Sequence, residues 1–310
     1  MIELFARSQG MREAVGLAER VSSTDANVLI TGESGAGKDL LASFIHSKSK
    51  RAPQPYVKID CATLPGELLE AELFGFERGA FTGAVETKAG RFEAAHKGTV
   101  VLDEIAHLSI DAQAKLLRVI ERREFERLGG RKTIKLDARL IALTNVDLDT
   151  AVKAGRFRED LFYRLNVINI RVPPLRERKE DLSQLVEYFL KLYSAKHGRN
   201  VHRPAGAARE LLKAYDYPGN ARELANIIER AVIVAMGKKL EEHDLPAGLS
   251  AAVTAQQRKG KRRSLAEVEA VYISETLAAT GGNKTECARI LGISRKNLYE
   301  KIARYKLSTD

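Results

Sequence analysis

The sequence predicts an α/β fold, a parallel sheet covered by helices on both faces, followed by a helical subdomain and a small all-α domain. Three observations predict it. Short β-branched runs alternate with helical patterns through residues 1–172, strand signals stop at Pro173-Pro174, and helical patterns alone continue from there. The strand candidates are Asn27–Thr31, Tyr56–Asp60, Thr99–Asp103, Arg139–Thr144 and Asn166–Ile170. Helical stretches such as Lys38–Ser47, Glu67–Leu73 and Asp111–Arg122 separate them. Within Glu124–Asp137, Gly129-Gly130 between two short alternating runs predicts a hairpin insertion. Residues 179–196, 205–214 and 219–236 read as amphipathic helices, so residues 173–249 form the helical subdomain. Residues 250–263 lack apolar periodicity and are basic, which predicts a flexible linker, and residues 264–310 hold three further helical candidates.

A length of 310 residues suits two or three folding units with a real core. With 44% apolar and 30% charged residues the composition is that of an ordinary globular chain. No run approaches the length of a membrane span, and Met1-Ile2-Glu3-Leu4-Phe5 is no secretory signal. The two cysteines, Cys61 and Cys287, are far apart and lack metal-ligand spacing, as expected of reduced thiols in a cytoplasmic protein. The net charge of +10 is uneven: residues 251–310 hold twelve Lys/Arg against six Asp/Glu, while the rest is nearly balanced. That asymmetry points to a nucleic-acid-binding appendage.

Gly32-Glu33-Ser34-Gly35-Ala36-Gly37-Lys38 follows an apolar strand and opens a helix, the context of a P-loop. The glycines let successive N–H groups face ATP phosphates, the helix N-terminus adds positive potential, and Lys38 reaches the β- and γ-phosphates. Asp39 stands where most P-loops place a magnesium-binding Ser/Thr hydroxyl; its carboxylate can hold Mg2+ directly or through water. Val100-Val101-Leu102-Asp103-Glu104 ends a strand in two acids, Asp103 for the metal and Glu104 to polarise the attacking water.

The segment between these motifs carries the family resemblance. Gly79-Ala80-Phe81-Thr82-Gly83-Ala84 resembles the GAFTGA loop of bacterial enhancer-binding proteins, the AAA+ ATPases that activate sigma-54 RNA polymerase. Phe81 and Thr82 would be the sigma-54 contact. Gly155–Asn166 resembles the family's arginine-finger region, which implies that Arg158 and Arg164 reach a neighbouring subunit's nucleotide. Leu143-Thr144-Asn145 is similar to sensor I, with Asn145 beside the nucleotide, and Tyr217–Leu224 to sensor II, with Arg222 on the γ-phosphate. Val172–Arg178 is similar to the crossing into the lid. Tyr217 replaces the family's usual Trp, a packing change. Asp60 replaces the usual Asn, whose amide can hold the Walker B glutamate away from water; an ionised Asp60 would repel Glu104, so a shared proton, a bridging water or weaker coupling is expected at this switch.

Ser264-Leu265-Ala266-Glu267 is a capping-box pattern, and Asn283 and Ser294 cap two later helices. Leu298, Ile302 and Tyr305 would be the buried stripe of the last one. This tail resembles the family's Fis-type helix-turn-helix, which implies that double-stranded DNA is contacted by Thr285, Arg295, Lys296, Asn297, Tyr299, Lys301 and Arg304. Arg295, Lys296 and Asn297 open the recognition helix and suit base edges, whereas Lys301 and Arg304 suit phosphates.

The resemblance thus implies an ATP- and Mg2+-dependent transcription activator with an AAA+ core and lid and a Fis-type domain. It implies a dimer through residues 265–279, a hexameric or heptameric ring, a two-component setting and no membrane. An ATP-regulated DNA-binding repressor is the rival reading; a clamp or helicase loader leaves the 79–84 loop and the tail unexplained. The chain starts roughly 27 residues before the P-loop strand, too few for the family's common sensory domain, so either that domain was removed or a separate partner supplies control.

Overall fold

The computed structural model describes residues 4–260, 265–305 and 307. The chain divides into two compact units, Met1–Leu249 and Ser250–Asp310. In the first unit, five parallel strands are β1 (Val28–Thr31), β2 (Tyr56–Asp60), β3 (Thr99–Asp103), β4 (Arg139–Thr144) and β5 (Ile168–Arg171), in the order β2-β3-β4-β1-β5. Their side chains alternate between two cores, as a period of two requires. Val28, Ile30, Val101, Ile141 and Leu143 pack with helices α1 (Gln9–Ser22) and α2 (Lys38–Ser47). Leu29, Val100, Leu102, Leu140 and Ala142 pack with α3 (Gly66–Phe74), α4 (Ile110–Arg122) and α5 (Glu159–Leu165). β4 is buried throughout, because it lies in mid-sheet with both faces covered.

The predicted strands and helices stand where expected to within two residues, and the hairpin pairs Glu124–Glu126 with Thr133–Lys135 in antiparallel fashion. Helix α1 is an element that the strand–helix alternation had not singled out. Its last carbonyls are held by the fully buried Arg139, which donates to Val21 O (2.9 Å) and Ser22 O (3.2 Å). A cation at a helix C-terminus satisfies orphan carbonyls and meets the negative end of the dipole.

The lid is built from α6 (Lys179–His197), α7 (Gly206–Ala214) and α8 (Asn220–Val234). Strand pairing does not end entirely at Pro174: Arg203–Pro204 and Lys239–Leu240 form a two-residue parallel pair. Buried Asp181 in the first turn of α6 accepts from Ser8 N and Ser8 Oγ, both at 2.8 Å, and so ties the N-terminal segment to the lid. Tyr217 is fully buried and donates to Leu212 O at 2.6 Å, a packing position with one added hydrogen bond.

The expected linker is corrected in part. Residues 250–260 belong to a helix, α9 (Ala247–Gly260), because Ala, Gln, Arg and Lys are strong helix formers even without an apolar stripe. The remaining linker positions 261–263 and the Ser264 cap lie outside the described residues. In the second unit, α10 (Leu265–Ala279), α11 (Lys284–Ile290) and α12 (Arg295–Tyr305) pack around Ile273, Leu277, Cys287, Ala288 and Leu298, with Ile302 and Tyr305 against them. Cys61 and Cys287 are both free and buried.

His46 on α2 is buried between the sheet and Tyr56, with Nδ1 2.9 Å from Thr99 Oγ1. Burial, and then the Arg139 charge, hold its imidazole below the ordinary 6.5. The unfolded chain therefore takes up the proton first, and this contribution to stability is present above pH 6.5 and lost as pH falls below it. Thermal unfolding of the wild type between about pH 7.5 and 5.5 should lose more stability than that of His46→Gln. Equal losses in the two proteins would place the sensitivity elsewhere.

Candidate active site

The C-terminal ends of the parallel strands converge on one edge, where open α/β sheets bind ligands. β1 runs into the P-loop, β3 ends at Asp103, β4 is followed by Asn145, and β2 ends at Asp60, in register with Asp103. A cleft of about 250 Å3 lies here, lined by Ser34, Gly37, Lys38, Asp103 and Glu104, with Phe189 and Arg222 from the lid. Gly35 and Gly37 adopt φ of 74° and 104°, the left-handed region that glycine enters freely.

Lys38 is buried, and its ammonium donates to Gly32 O at 2.8 Å and lies 3.7 Å from Glu104 Oε1. Glu104 itself has φ 52°, a costly conformation for a residue with a Cβ, and its Oε2 accepts from Asn145 N at 3.2 Å. Lys38 and Asn145 thus both meet Glu104 at this strand edge. Asp60 behaves differently: its Oδ1 accepts from Ala62 N at 2.9 Å, shaping its own turn, while Glu104 takes Lys38 and Asn145 as partners. Asp60 and Glu104 are each hydrogen-bonded to a different backbone donor, Ala62 N and Asn145 N.

The lid holds the P-loop from outside. Arg176 makes two hydrogen bonds to Glu33, at 2.8 and 2.5 Å, and Asn220 Nδ2 donates to Glu33 Oε2 and Ser34 O, both at 3.0 Å. The Arg176 guanidinium, and then the Asn220 amide, hold the Glu33 carboxyl down at about 2. Buried Arg178 donates to Ala36 O at 2.6 Å, and Arg222 donates to Ser34 Oγ at 2.9 Å. Arg222 therefore stands in the cleft.

Two residues that the sequence reading had not singled out as site residues complete the picture. Asn220, buried with φ 55°, is the hub of the lid contact. Lys58 on β2 places its ammonium 2.6 Å from Asp39 Oδ1 and 2.8 Å from Asp103 Oδ2. A lysine alone on an edge strand carries no motif signal; only the strand pairing of β2 with β3 would have brought it to Asp103.

Arg158 and Arg164 do not line this cleft. Arg158 pairs with Asp160 at 2.7 Å and Arg164 with Glu121 at 3.0 Å, both on the surface. In the 79–84 loop, Phe81 is 39% exposed with its ring edge-on to Phe76, and Thr82 is exposed. Gly79 and Gly83, at φ 83° and 105°, bracket the tip, and Gly79 N donates to Ala84 O at 2.8 Å.

In the second unit, Asn283 Oδ1 accepts from Thr285 N and Glu286 N, capping α11, and Ser294 Oγ accepts from Asn297 N. Thr285, Arg295, Lys296, Asn297, Tyr299 and Arg304 are exposed. Lys301 differs from them: it is engaged with Glu269 at 2.7 Å, which ties α12 to α10.

The sequence profile of the sigma-54 interaction domain matches residues 4–171, that of the AAA+ ATPase lid domain residues 176–262, and that of the Fis family of bacterial regulatory proteins residues 264–305. Transcriptional regulatory protein FlbD of Caulobacter vibrioides is 44% identical over 97% of this chain and 70% of its own length. Regulatory protein AtoC of Escherichia coli is 46% identical, over 97% and 67%. The ATP complex of NtrX from Brucella abortus superposes with a TM-score of 0.75 at 35% identity, covering 98% of this chain and 70% of that one. The chain is therefore an ATPase and belongs to the AAA+ transcription regulators that combine a sigma-54 interaction domain with a Fis-family helix-turn-helix.

Proposed function

We propose that this protein is a cytoplasmic activator that binds DNA upstream of a promoter, assembles into a hexameric or heptameric ring, and uses ATP hydrolysis to remodel sigma-54 polymerase. The observation that carries the reading is the 79–84 loop: an apolar ring and a hydroxyl held out on a glycine-bracketed tip, on the same scaffold as the ATP cleft. An exposed Phe between two glycines costs solvation unless a partner covers it.

In this reading Lys38 binds the β- and γ-phosphates, and Glu104 orients and polarises the attacking water. Asp39 and Asp103 would hold magnesium. Their carboxylates converge on one cationic position, and Asp39 Oδ1 is a buried oxygen without an aligned hydrogen bond, a donor set that suits a hard divalent ion. When bound, magnesium would neutralise charge on the phosphate oxygens. Arg222 would report phosphate occupancy from the lid through Ser34, and Asn145 would report it through Glu104. Arg158 and Arg164 would leave Asp160 and Glu121 to reach the neighbouring subunit's phosphates. Thr285, Arg295, Lys296, Asn297, Tyr299 and Arg304 would face DNA in a dimer formed through α10; Lys301, committed to Glu269, would reach a phosphate only by giving up that pair.

Three measurements test this. Lys38→Ala should weaken ATP binding at least about tenfold, or ~1.4 kcal/mol, by calorimetric titration; unchanged affinity would remove Lys38 from the site. Arg158→Ala should bind ATP yet hydrolyse it about 1,000-fold more slowly, and mixing it with a Glu104→Gln subunit should restore part of the turnover. Absence of rescue would argue against fingers acting between subunits. With ADP–aluminium fluoride, the wild type should capture sigma-54 on a native gel and Thr82→Ala should not. If the wild type hydrolyses ATP but captures nothing, the DNA-binding repressor becomes the better reading.

A further inference from the structure

A lysine occupies the point on which the two carboxylates assigned to magnesium converge. We propose that Lys58 is a built-in counter-cation for Asp39 and Asp103, whose ammonium competes with the divalent ion and must be displaced before the metal can bind.

Three features of the structure carry this. Lys58 Nζ lies 2.6 Å from Asp39 Oδ1 and 2.8 Å from Asp103 Oδ2, so one cation bridges an acid from the P-loop helix and an acid from β3. The remaining Asp103 oxygen, Oδ1, accepts from Glu104 N at 3.0 Å, which fixes the carboxylate in its bridging orientation. Asp39 Oδ1 is buried and has no aligned hydrogen bond, so the charge of Lys58 is what compensates it.

The need for such a cation follows from Asp39. A hydroxyl at this position leaves Asp103 as the one carboxylate at the point Lys58 occupies, whereas Asp39 places a second negative charge there. Two carboxylates facing one point repel until a cation sits between them. Lys58 supplies that cation on a side chain about a third exposed, on an edge strand, with a flexible stem that can swing out to solvent. The site is thus held open in a metal-ready shape, and the metal is admitted by exchange of one cation for another.

The inference rests on the assignment of magnesium to Asp39 and Asp103. Binding of Mn2+ to the full chain in the presence of ADP, read by the loss of free-ion paramagnetic resonance, tests both. Lys58→Met and Lys58→Gln should each tighten Mn2+ by at least about tenfold, because the competitor is gone. Lys58→Arg, which keeps the charge, should stay close to the wild type. Asp103→Asn should lose the ion. Unchanged or weaker Mn2+ binding in both neutral variants overturns the competition, as does equal tightening by the Arg variant, since the effect would then not be one of charge. If those variants fail while Asp103→Asn still loses the ion, the magnesium assignment stands and the role of Lys58 falls alone. If Asp103→Asn binds Mn2+ as the wild type does, the assignment itself falls and takes the inference with it.

Discussion

The rest of the first unit depends on a phosphate loop that cannot hold its own shape. Its residues are glycine-rich because their N–H groups must turn inward, and that leaves carbonyl oxygens turned outward without helical or sheet partners. The lid supplies those partners. Arg178 takes Ala36 O, Asn220 takes Ser34 O, and Ala221 N donates to Gly35 O at 3.1 Å. Contact is close enough that a Cβ on Gly35 would fall 2.4 Å from Gly219 O. Glycine at 35 is therefore required twice over, by the backbone angle and by the neighbour pressed against it.

This arrangement gives the nucleotide site a lever. Whatever shifts the phosphate loop shifts the start of α8 with it, since Asn220 and Arg222 stand there. On the sheet side, Glu104 hydrogen-bonds the backbone after β4, so its carboxylate is tied to a second strand end. The cleft is thus walled by one sheet edge on one side and one attached helical body on the other.

Much of this was legible in the sequence where the chemistry is contiguous. The P-loop, the acids ending β3 and the 79–84 loop each occupy one short run, so their residue types and order declare them. The core strands were legible because β-branched alternation is a local signal. What was hidden depends on long-range pairing. Lys58 meets Asp103 because β2 lies beside β3, and Arg176 and Asn220 meet Glu33 because the lid folds back over the loop. The helical continuation through residues 250–260 was hidden for another reason: an apolar stripe reports burial, and a helix with little to bury shows none.

Glu104 has a consequence for stability. At φ 52° its backbone would be relieved by glycine or asparagine, residues that occupy this region cheaply. Either change would strip the carboxylate from the cleft. In the proposed reading, where that carboxylate polarises water, a hardier backbone and a working site therefore ask for different residues at this position, and added stability has to come from elsewhere in the fold.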